Sequence, residues 1–194
     1  NESIQFTIGV VPVFLVLGVV CGAVAIAFTR SLQLSEHLFK RMPGPALLKP
    51  AVGALLLVML GFGFHYGVGA FNSPINDMST LPPFYGTGYE TVKQLLDPSF
   101  YADSLHEMST RDIIMLSLFL LGLAILKIVA TSLTLGSGGA GGLFAPSLVV
   151  GAIVGSLFGA VVETLGWFPE TDPAHYALVG MAAVLAATTH APMT

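Results

Sequence analysis

The residues best suited to do chemistry in this chain form one glycine-rich run, Gly136-Ser137-Gly138-Gly139-Ala140-Gly141-Gly142-Leu143-Phe144-Ala145-Pro146. Glycine permits φ > 0 and lets a ligand approach the backbone closely. Pro146 stands where a first-turn proline costs little, because its N–H would have no helical partner. The apolar residues that follow predict a helix over residues 143–165. Its first-turn amides, including those of Leu143 and Phe144, would point back into the loop. Together with the positive end of the helix dipole they would make an anion site. An apolar segment also precedes the run, so the site would lie at membrane depth, where non-helical backbone must be buried in protein or line a watery cavity. The same residues also fit a tight turn between two packed membrane helices. A phosphate-binding P-loop does not fit, since no Lys-Ser or Lys-Thr follows the glycines and no βαβ pattern surrounds them.

Other chemistry-bearing residues are sparse. Lys127 is a charge inside the apolar segment before the run, and such a charge usually faces a bundle interior or a pathway. The five histidines, His37, His65, His106, His175 and His190, show no ligand spacing, so no metal or cofactor is assigned. The single cysteine, Cys21, excludes an intrachain disulfide and reads as a small hydrophobe. No Ser/His/Asp, Cys/His or paired-carboxylate arrangement points to an enzyme. Ser117 and Thr131 are expected to bond to their own helix backbone.

The elements that must position the run come from the hydropathy pattern. The chain has 194 residues, 54% hydrophobic and only 9% charged, with mean hydropathy +0.83. Soluble domains carry roughly 25% charged residues, so the composition indicates an integral membrane protein. A net charge of −4 offers no basic footprint for nucleic acid. Four spans are predicted, over residues 7–28 (continuing as a more polar helix to 40), 46–66, 113–135 and 143–165. A fifth, shorter helix is predicted over residues 174–188, capped by Asp172 and Pro173. Gly18 and Gly22 are spaced for a close helix contact, as are Gly151, Gly155 and Gly159. Pro43-Gly44-Pro45 ends the first helix. Glu163 and Trp167 suit a membrane interface. Arg30, Lys40, Arg41 and Lys49 place the connection after the first span in the cytoplasm. The polar stretch 67–112, with Asp77, Asp103 and Glu107, is placed on the outer side. Within it a short helix is predicted over residues 90–96, and Thr110 with Asp112 reads as the start of the third span. Without Met at position 1, and with a new segment starting at residues 191–194, the chain reads as an internal fragment.

The run Gly142-Leu143-Phe144-Ala145-Pro146 after Gly136-Ser137-Gly138, following an apolar helix, resembles the GxFxP anion-binding motif of the CLC family of chloride channels and proton/chloride exchangers. The Gly86-Thr87-Gly88-Tyr89 stretch before a short helix is similar to the family as well, whereas His190 stands where the family often has Arg. The resemblance implies an all-α membrane fold with broken and re-entrant helices, part of an inverted-repeat architecture. Residues 1–194 would be a middle-to-late portion of its transmembrane domain, with no soluble domain. It implies transport of chloride or a similar anion, bound by the backbone N–H groups of Gly142, Leu143 and Phe144. Gly136, Ser137, Gly138, Gly141, Ala145 and Pro146 would shape the loop and the helix start. Lys127 would add positive potential to the inner anion route without touching the ion, the other reading being an ion pair with an acid elsewhere. Implied partners are membrane lipid, a second copy in a homodimer and the missing portions of the same polypeptide, with no nucleic acid; the implied location is the cell membrane. Two rivals are a membrane enzyme that holds a phosphate group at the loop, and a structural membrane subunit. Gly142 is expected to need φ > 0 or a close helix approach.

Overall fold

The computed structural model describes residues 11–45, 47–68, 82–97, 110–164 and 173–190. Asp77, Asp103, Glu107, Trp167 and Asp172 lie outside the described residues, as do residues 1–10 and 191–194. The chain forms α1 (Val11–Arg41), α2 (Leu48–Val68), α3 (Tyr89–Leu95), α4 (Thr110–Gly136), α5 (Phe144–Thr164) and α6 (Pro173–His190). Four of these, α1, α2, α4 and α5, are long and apolar enough to cross a membrane, and α6 is a shorter apolar helix. The predicted elements are therefore all observed, with ends shifted by a few residues.

In α1 the buried residues Val13, Leu17, Cys21, Ala25 and Phe28 recur every three to four positions and form one stripe. The opposite face, with Leu15, Val16, Val19 and Ile26, is apolar and exposed. A hydrocarbon surround accepts such a face, because lipid tails are as apolar as leucine. The helix stops at Pro43-Gly44-Pro45, where Gly44 takes a φ of 138°.

Helices α5 and α6 form the tightest pair. A Cβ on Gly151 would meet the Gly180 carbonyl oxygen at 2.5 Å, and one on Gly155 would meet Cα of Ala177 at 2.7 Å. Only glycine lets these backbones approach so closely. Gly18 and Gly22 behave differently from their spacing, since nothing lies within 4 Å of a Cβ built on either. Their stripe is not a contact among the described residues.

A second departure concerns residues 82–97, part of the stretch read as a polar outer connection. Phe84 is only 1% exposed and joins Val92, Leu95, Leu120, Leu123, Val149 and Ile153 in one apolar core. Its ring meets Phe64 edge-on at 5.2 Å. The neighbouring Tyr85 hydroxyl donates to the Leu57 carbonyl of α2. This turn thus packs inward between helices.

A glycine-rich loop at the head of a membrane helix

The first half of the loop is a helix stop. Gly139 N–H donates to the Thr134 carbonyl at 2.9 Å, and Gly138 N–H donates to the Leu135 carbonyl at 3.0 Å. That pair of bonds is a Schellman motif, which needs a left-handed residue where Gly138 sits with φ 92°. A Cβ on Gly139 would lie 2.7 Å from the Thr134 oxygen. Gly136 presses on α1, where a Cβ would meet the Glu36 nitrogen at 2.9 Å and the Ser35 side chain. Ser137 is buried, packs against Gly53 of α2, and donates through Oγ to the Thr134 carbonyl at 3.0 Å.

The second half opens. Gly141 and Gly142 are exposed, and Leu143 is half-buried. Gly142 does not have positive φ and meets nothing within 4 Å of a built Cβ. The expectation of a strained or crowded Gly142 is therefore corrected. The glycine the turn requires is Gly138, because the demand comes from ending α4, four residues earlier in the run.

The first bond of α5 runs from Ser147 N–H to the Leu143 carbonyl at 3.0 Å. Leu143 is thus the N-cap, and Phe144, Ala145 and Pro146 make the first turn. First-turn amides have no intrahelical acceptor. Helices usually satisfy one with a Ser, Thr, Asp or Asn at the N-cap, but leucine has no oxygen to offer. Pro146 removes one donor outright. Ser147 is fully buried, and its Oγ donates to the Phe144 carbonyl at 2.8 Å, so it does not turn back to cap the amides. Phe144 is 59% exposed, which leaves the helix head open in this chain.

Among the described residues no bond brings Lys127 to this loop. Its Nζ is held by the Gly86 carbonyl at 2.7 Å and the Phe84 carbonyl at 3.1 Å, and the residue is 2% exposed. Gly88 (φ 75°) lies beside it, since a Cβ there would meet Val149 Cγ2 at 2.7 Å and Lys127 Nζ at 3.5 Å. Carbonyl dipoles solvate the ammonium and tie the centre of α4 to the turn before α3. Among the described residues Lys127 has no acidic partner. Thr131 bonds to the Lys127 carbonyl at 2.8 Å, as its position in the helix predicts.

Sequence reasoning missed Ser35, Phe84 and Tyr85. The aromatic pair ahead of Gly86-Thr87-Gly88 was a usable signal for the turn, because exposed connections seldom carry adjacent large aromatics. Ser35 carried no signal.

The fold and this loop define a polytopic helical membrane protein whose helix N-terminus beside a glycine-rich break has no side-chain cap among the described residues. The family model described as voltage gated chloride channel matches residues 1–194. The chain belongs to that family. It is 32% identical over 194 residues to chloride channel protein CLC-f of Arabidopsis thaliana, covering 94% of this chain and 21% of that protein. It is 27% identical over 195 residues to uncharacterized protein MJ0305 of Methanocaldococcus jannaschii, covering 100% of this chain and 40% of that protein. A shorter stretch of 70 residues is 44% identical to the H(+)/Cl(-) exchange transporter ClcA of Vibrio cholerae serotype O1, covering 35% of this chain and 14% of that protein. The chain thus spans less than half the length of these relatives. No solved structure matches it.

Proposed function

We propose that this chain is the part of a CLC-type transport protein that binds chloride or a similar anion at the head of α5. The ligands are the backbone N–H groups of Gly142, Leu143 and Phe144. The observation that carries the reading is the leucine N-cap: the helix begins beside an open glycine segment, and among the described residues no side-chain acceptor serves its amides. A small anion supplies that acceptor and gains from the helix dipole. Binding by dipoles rather than by a full countercharge lets the ion leave again, as transport requires.

Lys127 supports the site at a distance. Its Nζ donates to the Phe84 and Gly86 carbonyls, so it acts on the local potential and does not coordinate the ion. Gly136, Ser137 and Gly138 fix the direction in which the chain leaves α4, and Gly141, Ala145 and Pro146 complete the approach to the helix head.

The test is radioactive chloride flux from liposomes containing the full-length protein that carries this chain. Chloride release above that of empty liposomes is expected. Tight vesicles with well-folded protein and no release would contradict the reading.

A further inference from the structure

Two cavities line the seam between α2 and α4, one of about 460 Å³ and one of about 590 Å³. Both are bounded by Leu56 and Leu133, where they adjoin, and together they make a groove along the seam. Along α2 the groove runs from Val52 to Phe64. At 1.5 Å per residue that is about 18 Å, close to one leaflet of a hydrocarbon core about 30 Å thick.

The two ends differ in chemistry. The half reaching Gly63 and Phe64 is lined by apolar residues alone. The other half carries Arg41 and three serines, Ser31, Ser35 and Ser132. Ser132 Oγ donates to Ser31 Oγ at 3.0 Å, while among the described residues the buried Ser35 hydroxyl has no hydrogen-bond partner. Among the described residues the exposed Arg41 guanidinium has no acidic partner, whereas its neighbour Lys40 pairs with Glu36 at 3.2 Å.

We propose that this groove holds one anionic phospholipid, its phosphate on Arg41 and an acyl chain running past Leu56 and Leu133 toward Phe64. A planar guanidinium makes paired, charge-assisted bonds to phosphate, and the apolar half offers the chain a protein wall in place of other lipid tails. The site is separate from the head of α5, so it stands or falls independently of the anion reading.

The test uses the full-length protein in mild detergent, offered phosphatidylglycerol or phosphatidylcholine with identical acyl chains, with retained lipid per subunit read by native mass spectrometry. The wild type is expected to retain phosphatidylglycerol about tenfold better, the equivalent of one charge-assisted bond. Arg41→Gln should abolish the preference and Lys40→Gln should keep it. Equal retention of the two lipids, or equal loss in both variants, would overturn the proposal. A phosphatidylglycerol with a photoreactive group on its acyl chain gives a readout in the unmutated protein. Adducts on Met59, Leu60 or Phe64 are expected. No lipid adduct there, with the groove instead cross-linked to another segment of the polypeptide or to a second subunit, would overturn it as well.

Discussion

Lys127 shows what one buried charge can do in a mostly apolar chain. Its ammonium is satisfied by two carbonyls of the turn before α3, and those carbonyls are satisfied by it. Removing it leaves both oxygens without their donor, at about 1–3 kcal/mol for each group that stays buried. Lys127→Met is therefore expected to lower the thermal midpoint of the full-length protein and its chloride flux together. Lys127→Arg keeps the charge and the donors and should recover part of both. Normal flux and stability in Lys127→Met would contradict the role given to this residue. The side chain itself was conspicuous in the sequence, but its partners were not. They lie 43 and 41 residues away, beyond any local pattern.

At the scale of elements, hydropathy and glycine spacing carry unequal information. An apolar run of about 20 residues predicts a span because backbone polar groups must be satisfied inside the segment. That logic located α1, α2, α4 and α5. Glycine spacing says only which residues share a face, and whether that face meets a neighbour depends on tertiary packing. Gly151 and Gly155 meet Gly180 and Tyr176 of α6, while among the described residues nothing lies within 4 Å of a Cβ built on Gly18 or Gly22. The two stripes should respond in opposite ways to a side chain. Gly155→Leu is expected to separate α5 from α6 and to abolish monodisperse, folded protein on gel filtration. Gly22→Ala should leave the elution profile intact and the thermal midpoint unchanged or slightly higher, since alanine favours a helix by about 1 kcal/mol over glycine. A tolerated Gly155→Leu would contradict the observed packing.

For the whole molecule, the end of α1 and its neighbours meet at one end of the bundle. Arg41, the start of α2 and the end of α4 gather there, and we propose from the basic residues of the sequence that this end faces the cytoplasm. Cysteine substitution at Lys40 is expected to resist an impermeant thiol reagent applied to intact cells and to react after permeabilisation. Labelling in intact cells would reverse the orientation. The glycine-rich break was legible because its chemistry is local: a helix stop, a flexible segment and a helix start within eleven residues. The groove was not legible, because it is made by side chains from α1, α2 and α4 that share no motif. The central claim is that backbone N–H groups at the head of α5 hold the anion, and Phe144 tests it most directly. Phe144 is the first helical residue, where proline fits without disturbing the helix but brings no N–H. Calorimetric chloride titration of the full-length Phe144→Pro and Phe144→Ala proteins separates the lost amide from the lost ring. The account expects Phe144→Pro to bind chloride about tenfold or more weakly than Phe144→Ala, the equivalent of one charge-assisted bond; equal affinities in two folded variants would contradict it.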